Sequence, residues 1–191
     1  SVKQEDYVKN VLVANSHDTI LCFSDFGKLY WLKSYQIPQG GRSARGRPII
    51  NMLPLQENEE ITTILPVKEY DDSHFVFMAT ASGKVKKCSL SQFSRPRSKG
   101  IIALDLAEDD KLIGAVLTTG SQDIMMVTSA GKAIRYSEDQ VRPMGRTASG
   151  VRGIKLAVSQ KVISLMVLRD NVTLMTSTVN GYGQRTRIDD Y

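Results

Sequence analysis

The sequence predicts an all-β fold made of repeated four-stranded units, and two observations carry that prediction. The first is a recurrent piece: Ile20–Lys28 (ILCFSDFGK), Phe75–Lys84 (FVFMATASGK), Ile124–Lys132 (IMMVTSAGK) and Leu174–Tyr182 (LMTSTVNGY) each run through apolar and small residues into a short turn that ends in glycine. The turn glycines Gly27, Gly83, Gly131 and Gly181 are spaced by 56, 48 and 50 residues, and a period near 50 is a repeat signature. The second observation is that strand patterns flank every one of these turns, while no stretch holds a helical period beyond two turns. Repeated four-stranded units of this length mark a β-propeller. A β-sandwich or barrel with coincidental spacing is the alternative, and the recurrence of the turn together with its flanking strands disfavours it.

In chain order, the first unit (6–59) places strands at 11–15 and 20–24, with a basic strand after Gly27. The second unit (60–110) is the clearest, with strands at 62–67 (TTILPV), 75–80 (FVFMAT), 84–90 (KVKKCSL) and 100–106 (GIIALDL). A turn at 71–74 joins its first pair, and Gly83 supplies the positive φ that a tight hairpin needs in the second. The third unit (111–160) has strands at 114–118 and 124–128, and the fourth (161–191) at 164–168 and 173–176 before it stops after its third strand. Residues 57–60 (ENEE) and 107–110 (AEDD) read as acidic, solvated links. A propeller closes with about 4–8 blades, so about four blades form an incomplete ring whose end strands stay open to pairing with another copy.

Composition bounds the rest. A single all-β domain over residues 1–191 accommodates the 41% apolar content, and no apolar run approaches a membrane span of about 20 residues. The polar start, SVKQEDY, is not a signal peptide, and the lack of an initiator Met suggests a piece of something longer. Cys22 and Cys88 sit in unrelated apolar stretches, which fits a reducing cytosol better than a disulfide framework. The net charge of +5 and a pI near 9.2 favour a polyanionic partner only weakly.

The distribution of charge says more than its sum. Lys28, Lys33, Arg42, Arg45 and Arg47 follow the first turn glycine, and Lys84, Lys86, Lys87, Arg95, Arg97 and Lys99 follow the second. Lys132, Arg135, Arg142, Arg146, Arg152 and Lys155 follow the third, and Arg185 and Arg187 the fourth. These segments hold 19 of the 25 Lys and Arg but only two of the 20 acids, Glu138 and Asp139. Solvated loops without a partner would mix signs. A basic element repeated in every unit makes a positive stripe on a curved body, suited to a bent duplex bound through its phosphates. Arg forks and close-approaching glycines (Gly40, Gly41, Gly46, Gly100, Gly150, Gly153) suit phosphate contact. Tyr30, Trp31, Tyr35 and Tyr136 lack equivalents in the later units, so single-stranded binding by stacking is less favoured. A protein-interaction propeller that docks an acidic partner is the alternative.

Catalytic patterns are weak. His17 and His74 fall in turns far from either cysteine, Glu57, Glu59 and Glu60 read as a solvated link, and Met125, Met126, Met144 and Met166 read as packing. Gly181-Tyr182-Gly183 opens no helix and is not a phosphate loop, and Asn171-Val172-Thr173 is a sequon without a matching compartment.

Several long stretches carry a resemblance. Residues 11–24 (VLVANSHDTILCFS), 44–55 (ARGRPIINMLPL), 77–87 (FMATASGKVKK), 150–156 (GVRGIKL) and 180–186 (NGYGQRT) closely resemble the C-terminal domain of the bacterial DNA gyrase A protein, along essentially the whole chain. The corresponding protein of topoisomerase IV has a related domain, but the Arg-Gly run before Pro48 looks more like gyrase. The resemblance implies a six-bladed β-pinwheel whose basic rim wraps duplex DNA and so directs strand passage toward negative supercoiling. It implies a bacterial cytoplasmic, nucleoid-associated protein whose partners are DNA, the rest of the gyrase A protein and the gyrase B protein in an A2B2 assembly. The family's gyrase A box is expected upstream of Ser1 and its last blades beyond Tyr191. The catalytic tyrosine and the ATP and Mg²⁺ sites are expected in the full enzyme, with no cofactor and no catalytic residue here.

Overall fold

The computed structural model describes residues 11–41, 44, 46–169, 173–177 and 182–190. Four hairpins form its frame: β1 (Thr19–Ser24) with β2 (Lys28–Lys33), β4 (Phe75–Thr80) with β5 (Lys84–Ser89), β8 (Asp123–Thr128) with β9 (Ala133–Ser137), and β12 (Thr173–Ser177) with β13 (Gly183–Arg187). Between them run β3 (Ile61–Val67), β6 (Ile101–Ile102), β7 (Leu112–Thr118), β10 (Val151–Arg152) and β11 (Val162–Leu168). Every pairing is antiparallel. The hairpins turn at Gly27 (φ 72°), Gly83 (φ 88°) and Gly131 (φ 73°), where glycine enters the left-handed region at no steric cost. Gly181 lies outside the described residues.

The strands do not assemble in the units read from the sequence. The first sheet is ordered β3-β1-β2-β6, the second β10-β5-β4-β7, the third β11-β8-β9, and the fourth consists of β12-β13. Each of the first three hairpins takes its inner partner from the segment that follows the next acidic or polar link, and the first two take an outer partner from further on still. The boundaries at 59/60, 110/111 and 160/161 therefore cut across sheets: β3 and β6, read as the first and last strands of the second unit, both belong to the first sheet. Hydrophobic alternation is identical whichever sheet receives a strand, so periodicity cannot reveal the exchange. Residues 11–15 form no strand, and the stretch 100–106 contributes only β6. Beyond Ile102 the backbone leaves the ladder, because the amides of Ala103 and Leu104 both donate to the Gly27 carbonyl. The second sheet repeats this latch with Gly153 and Ile154 on the Gly83 carbonyl.

The sheets stack face to face, which explains the near-continuous apolar runs of the central strands. In β1, Leu21 and Phe23 face one cluster with Val76 and Met78 of β4, while Ile20 and Cys22 face another with Tyr30 and Leu53. In β4 the alternate residues Phe77 and Ala79 join Ile124 and Met126 of β8 in the next cluster. Met125 turns the other way, toward Leu168 and Ile188 near the fourth sheet. Period-2 alternation thus sends successive side chains to different interfaces, both of them apolar. Burying side chains of this size contributes about 1.5–3 kcal/mol each, and Phe23 and Phe93 add an edge-to-face pair at 6.2 Å. The inner strands β3, β7 and β11 contact one another in succession. The outer strands β6 and β10 lie at the opposite side of their sheets. A short 3₁₀ turn follows β2, β5, β9 and β13 at Ser34–Gln36, Leu90–Phe93, Glu138–Gln140 and Ile188–Asp190.

Candidate nucleic-acid interface

The second strand of each hairpin, β2, β5, β9 or β13, leads into a 3₁₀ turn and, in the first three, then into a link that carries the basic residues. The second and third links end at the outer strands β6 and β10. Gly100 (φ 71°) and Gly150 (φ 82°) make these entries possible. A Cβ at Gly100 would lie 2.6 Å from the Tyr30 ring, and one at Gly150 would lie 2.6 Å from the Val85 carbonyl oxygen. The links are therefore pressed onto β2 and β5 and leave their side chains at the outer margin.

The predicted contact residues divide into three groups there. Arg47, Arg95, Arg97, Lys99, Lys132, Arg142, Arg152, Lys155 and Arg185 are exposed. Their side chains have no hydrogen-bond or ion-pair partner among the described residues, and neither do those of Lys28 and Lys84, which are half-buried beside their turn glycines. A second group is engaged. Lys33 donates to Thr19 Oγ1 at 2.8 Å, and Arg135 donates from Nε to Asp123 Oδ2 at 2.9 Å and from Nη1 to the Ile188 carbonyl at 3.0 Å. Arg146 donates to the Ile102 carbonyl at 3.3 Å, and Arg187 lies 3.9 Å from Asp189 in a fully solvated pair. Arg42 and Arg45 lie outside the described residues.

Lys86 and Lys87 form the third group, and for them the expectation of a surface role is corrected. They are 0% and 3% exposed. Lys86 Nζ donates to the carbonyls of Ala103, at 2.9 Å, and Arg146. Lys87 Nζ donates to the Glu138 carbonyl at 3.1 Å, lies 3.6 Å from the Glu138 carboxylate and sits 4.9 Å from the centre of the Phe75 ring. Adjacent strand residues point to opposite faces, and since neighbouring sheets cover both faces of β5, both ammonium groups are buried.

The same packing explains the acids. Glu138, an exception inside a basic segment, is fully buried. Its carboxylate accepts from Thr118 Oγ1 at 2.6 Å and from the amides of Gly120 and Gln122 at 2.9 Å, besides facing Lys87. Glu59, read from the sequence as part of a solvated link, is also buried. It accepts from the Tyr30 hydroxyl at 2.9 Å and from the Gln56 amide at 2.7 Å. Glu57 and Glu60 are exposed, as a solvated link requires.

Two features escaped the sequence reading. Arg169 is exposed at the end of β11 and joins Arg135 and Arg187 in lining a cleft of about 890 Å³ between the third and fourth sheets. It lies outside the segments that follow turn glycines, so the charge pattern gave no sign of it. An Arg-Pro step also recurs in each link, at Arg47-Pro48, Arg95-Pro96 and Arg142-Pro143, with every one of these residues exposed. That signal was present in the sequence. Elsewhere, His74 sits 2.8 Å from Asp71 in an exposed turn, and this hydrogen bond holds the Asp71 carboxyl below its ordinary pKa. No group of three His, Cys, Asp or Glu residues is arranged for a metal among the described residues. Cys22 and Cys88 are buried free thiols, and burial pushes the Cys22 pKa up to about 12. No helix among the described residues is long and apolar enough to cross a membrane.

Stacked antiparallel sheets with contacting inner strands define a propeller-type domain, and its links carry exposed cations without partners among the described residues. The chain belongs to the family described as DNA gyrase C-terminal domain, beta-propeller, whose model matches residues 18–68, 74–119 and 122–169. It is 59% identical over 190 residues to the DNA gyrase A protein of Salmonella typhimurium and 49% identical over 190 residues to that of Escherichia coli. Each alignment covers 100% of this chain but only 22% of the relative. Among solved structures, a DNA gyrase A C-terminal domain matches with a TM-score of 0.76 and 27% identity over 92% of this chain and 56% of that one. The C-terminal domain of a DNA topoisomerase IV matches with a TM-score of 0.87 over 100% of this chain and 60% of that one, at 23% identity, which establishes a shared fold alone.

Proposed function

We propose that this domain binds duplex DNA along its outer edge and wraps it, as the accessory part of a gyrase that directs strand passage toward negative supercoiling. The observation that carries this reading is the set of exposed cations without protein partners, Arg47, Arg95, Arg97, Lys99 and Arg142, of which Arg47, Arg95 and Arg142 each precede a proline in successive links. A cation already neutralised by a carboxylate releases no counterion from DNA, whereas a free one does. Repetition along a stack of sheets extends the contact path, and a long path offsets the elastic cost of bending, about 1–6 kcal/mol for a 20–30 bp site bent by 40–90°. No recognition helix is present among the described residues, so discrimination would act through DNA shape and deformability.

In this reading the domain works beside the rest of the gyrase A protein and the gyrase B protein in an A2B2 assembly, in the bacterial cytoplasm at the nucleoid. The catalytic tyrosine and the ATP and Mg²⁺ sites lie outside this chain. Titration of duplex binding against salt tests the proposal. The expected result is a log–log slope steeper than about −4, since each neutralised phosphate contributes about −0.9. An affinity indifferent to salt would sink it. Recovery of a stoichiometric acidic protein after nuclease treatment, with no DNA binding, would favour a protein-docking domain instead.

A further inference from the structure

Lys86 occupies a place where its neighbours in the stack carry no cation. Counted from the turn glycine, it corresponds to Tyr30 in the first sheet and Ile134 in the third. Packing at this position is met by uncharged side chains, and a fully buried ammonium is costly unless something specific holds it. Lys86 has no carboxylate partner. Its ammonium is held by two backbone carbonyls, that of Ala103, just past β6, and that of Arg146, within the link between β9 and β10. Arg146 closes the triangle by donating to the Ile102 carbonyl of β6 at 3.3 Å. One lysine of the second sheet thus ties the outer strand of the first sheet to the link that leads into its own. The charged and titratable groups around it are Cys88 on its own strand, Asp105 after β6 and Arg146 in the link, and burial lowers the Lys86 pKa from its ordinary value.

We propose that Lys86 is a positioning residue that clamps link 142–150 against β6 and so fixes the spacing between two neighbouring DNA-facing links, 94–100 and 142–150, without touching DNA itself. This rests on the DNA-binding reading above. Link 94–100 passes through Gly100 directly into β6, and link 142–150 passes through Gly150 into β10. The two carbonyls therefore register one link against the other. Holding cations at preset positions spares the ordering cost that binding otherwise incurs.

Two measurements on Lys86→Met test the proposal, with Lys86→Gln as a second variant should the first fail to fold. The first needs no DNA. Amide exchange at Ala103 and Ala148 is expected to rise about tenfold or more while Phe77 and Met78 in β4 stay protected, as local opening without global unfolding requires. Unchanged exchange in both places overturns the clamp. The second is a double-mutant cycle on duplex affinity. Lys86→Met is expected to weaken binding about fivefold and Arg142→Gln about threefold, with Arg142→Gln costing less than about 1.5-fold once Lys86 is gone, because coupled residues do not add. Full additivity, or unchanged affinity in Lys86→Met, overturns the positioning role. If the wild-type chain does not bind duplex DNA, the DNA reading fails and the positioning role with it, while the exchange measurement still decides whether the clamp exists.

Discussion

Residues 84–99 hold two kinds of cation that composition cannot tell apart. Lys86 and Lys87 lie in β5 and are buried between sheets, one against the outer strand of the first sheet and one against Glu138 beside the third. Arg95, Arg97 and Lys99, a few residues on, are exposed and unpartnered. A strand covered on both faces turns the charges at its centre into part of the structure. A link lying on the surface leaves the charges it carries to solvent and to a polyanion. The Lys87–Glu138 pair should therefore govern folding, and the exposed cations only salt-dependent binding.

The sharpest test of that contrast is Glu138→Ala. It removes the carboxylate beside Lys87 and leaves a buried ammonium facing only a carbonyl and a ring, so a loss of about 3–5 kcal/mol is expected, read from denaturant midpoints. Replacing both partners, as Lys87→Met with Glu138→Leu, should cost less than Glu138→Ala alone. If the double variant is the less stable, the pair stabilises through more than mutual compensation. Tyr30→Phe comes next. It takes the hydroxyl donor from the buried Glu59 carboxylate, a loss of about 1–3 kcal/mol by the same assay.

Alkaline pH probes the buried side in a graded way. Burial raises the Cys22 and Tyr136 pKa values from 9.0 and 10.0 to about 12. Groups with raised folded-state pKa values contribute stability that is fully present below their unfolded values and is lost as pH rises toward 12. Lys86 acts in the opposite sense, because its lowered pKa makes the folded state relatively more stable as pH rises toward 10.5. Thermal melts should therefore fall from pH 9 to 12, with Lys86 opposing the loss up to about 10.5. A melting temperature that stays level from pH 9 to 12 would contradict these shifts.

The smallest expected effect on folding is at the rim. Arg95→Gln with Arg97→Gln should change stability by less than about 0.5 kcal/mol. The same change should flatten the salt slope of duplex binding by about 1.8, two contacts at about 0.9 each. A destabilised fold with an unchanged slope would move these two arginines from the binding group to the structural one.

Much of this was legible in the chain itself. Apolar runs ending in turn glycines marked the hairpins, and β4 was bounded at Phe75–Thr80 in both sequence and structure. The confinement of basic residues to the segments after those glycines was also visible. The burial of Lys86 and Lys87 was not recoverable locally, since alternation alone turns one of two adjacent strand residues outward. Glu59 and Glu138 look like any other surface acids until Tyr30, Thr118 and two turn amides are brought to them.

The sequence by itself determined where the hairpins form and which segments are basic, because apolar strand runs and glycine turns are local properties of the backbone and its side chains. Only the tertiary structure decided which sheet each strand joins and which cations remain free. Those outcomes depend on hydrogen bonds and burial between residues far apart in the chain, as when β3 and β6 both join the β1–β2 hairpin and the second sheet closes over Lys86.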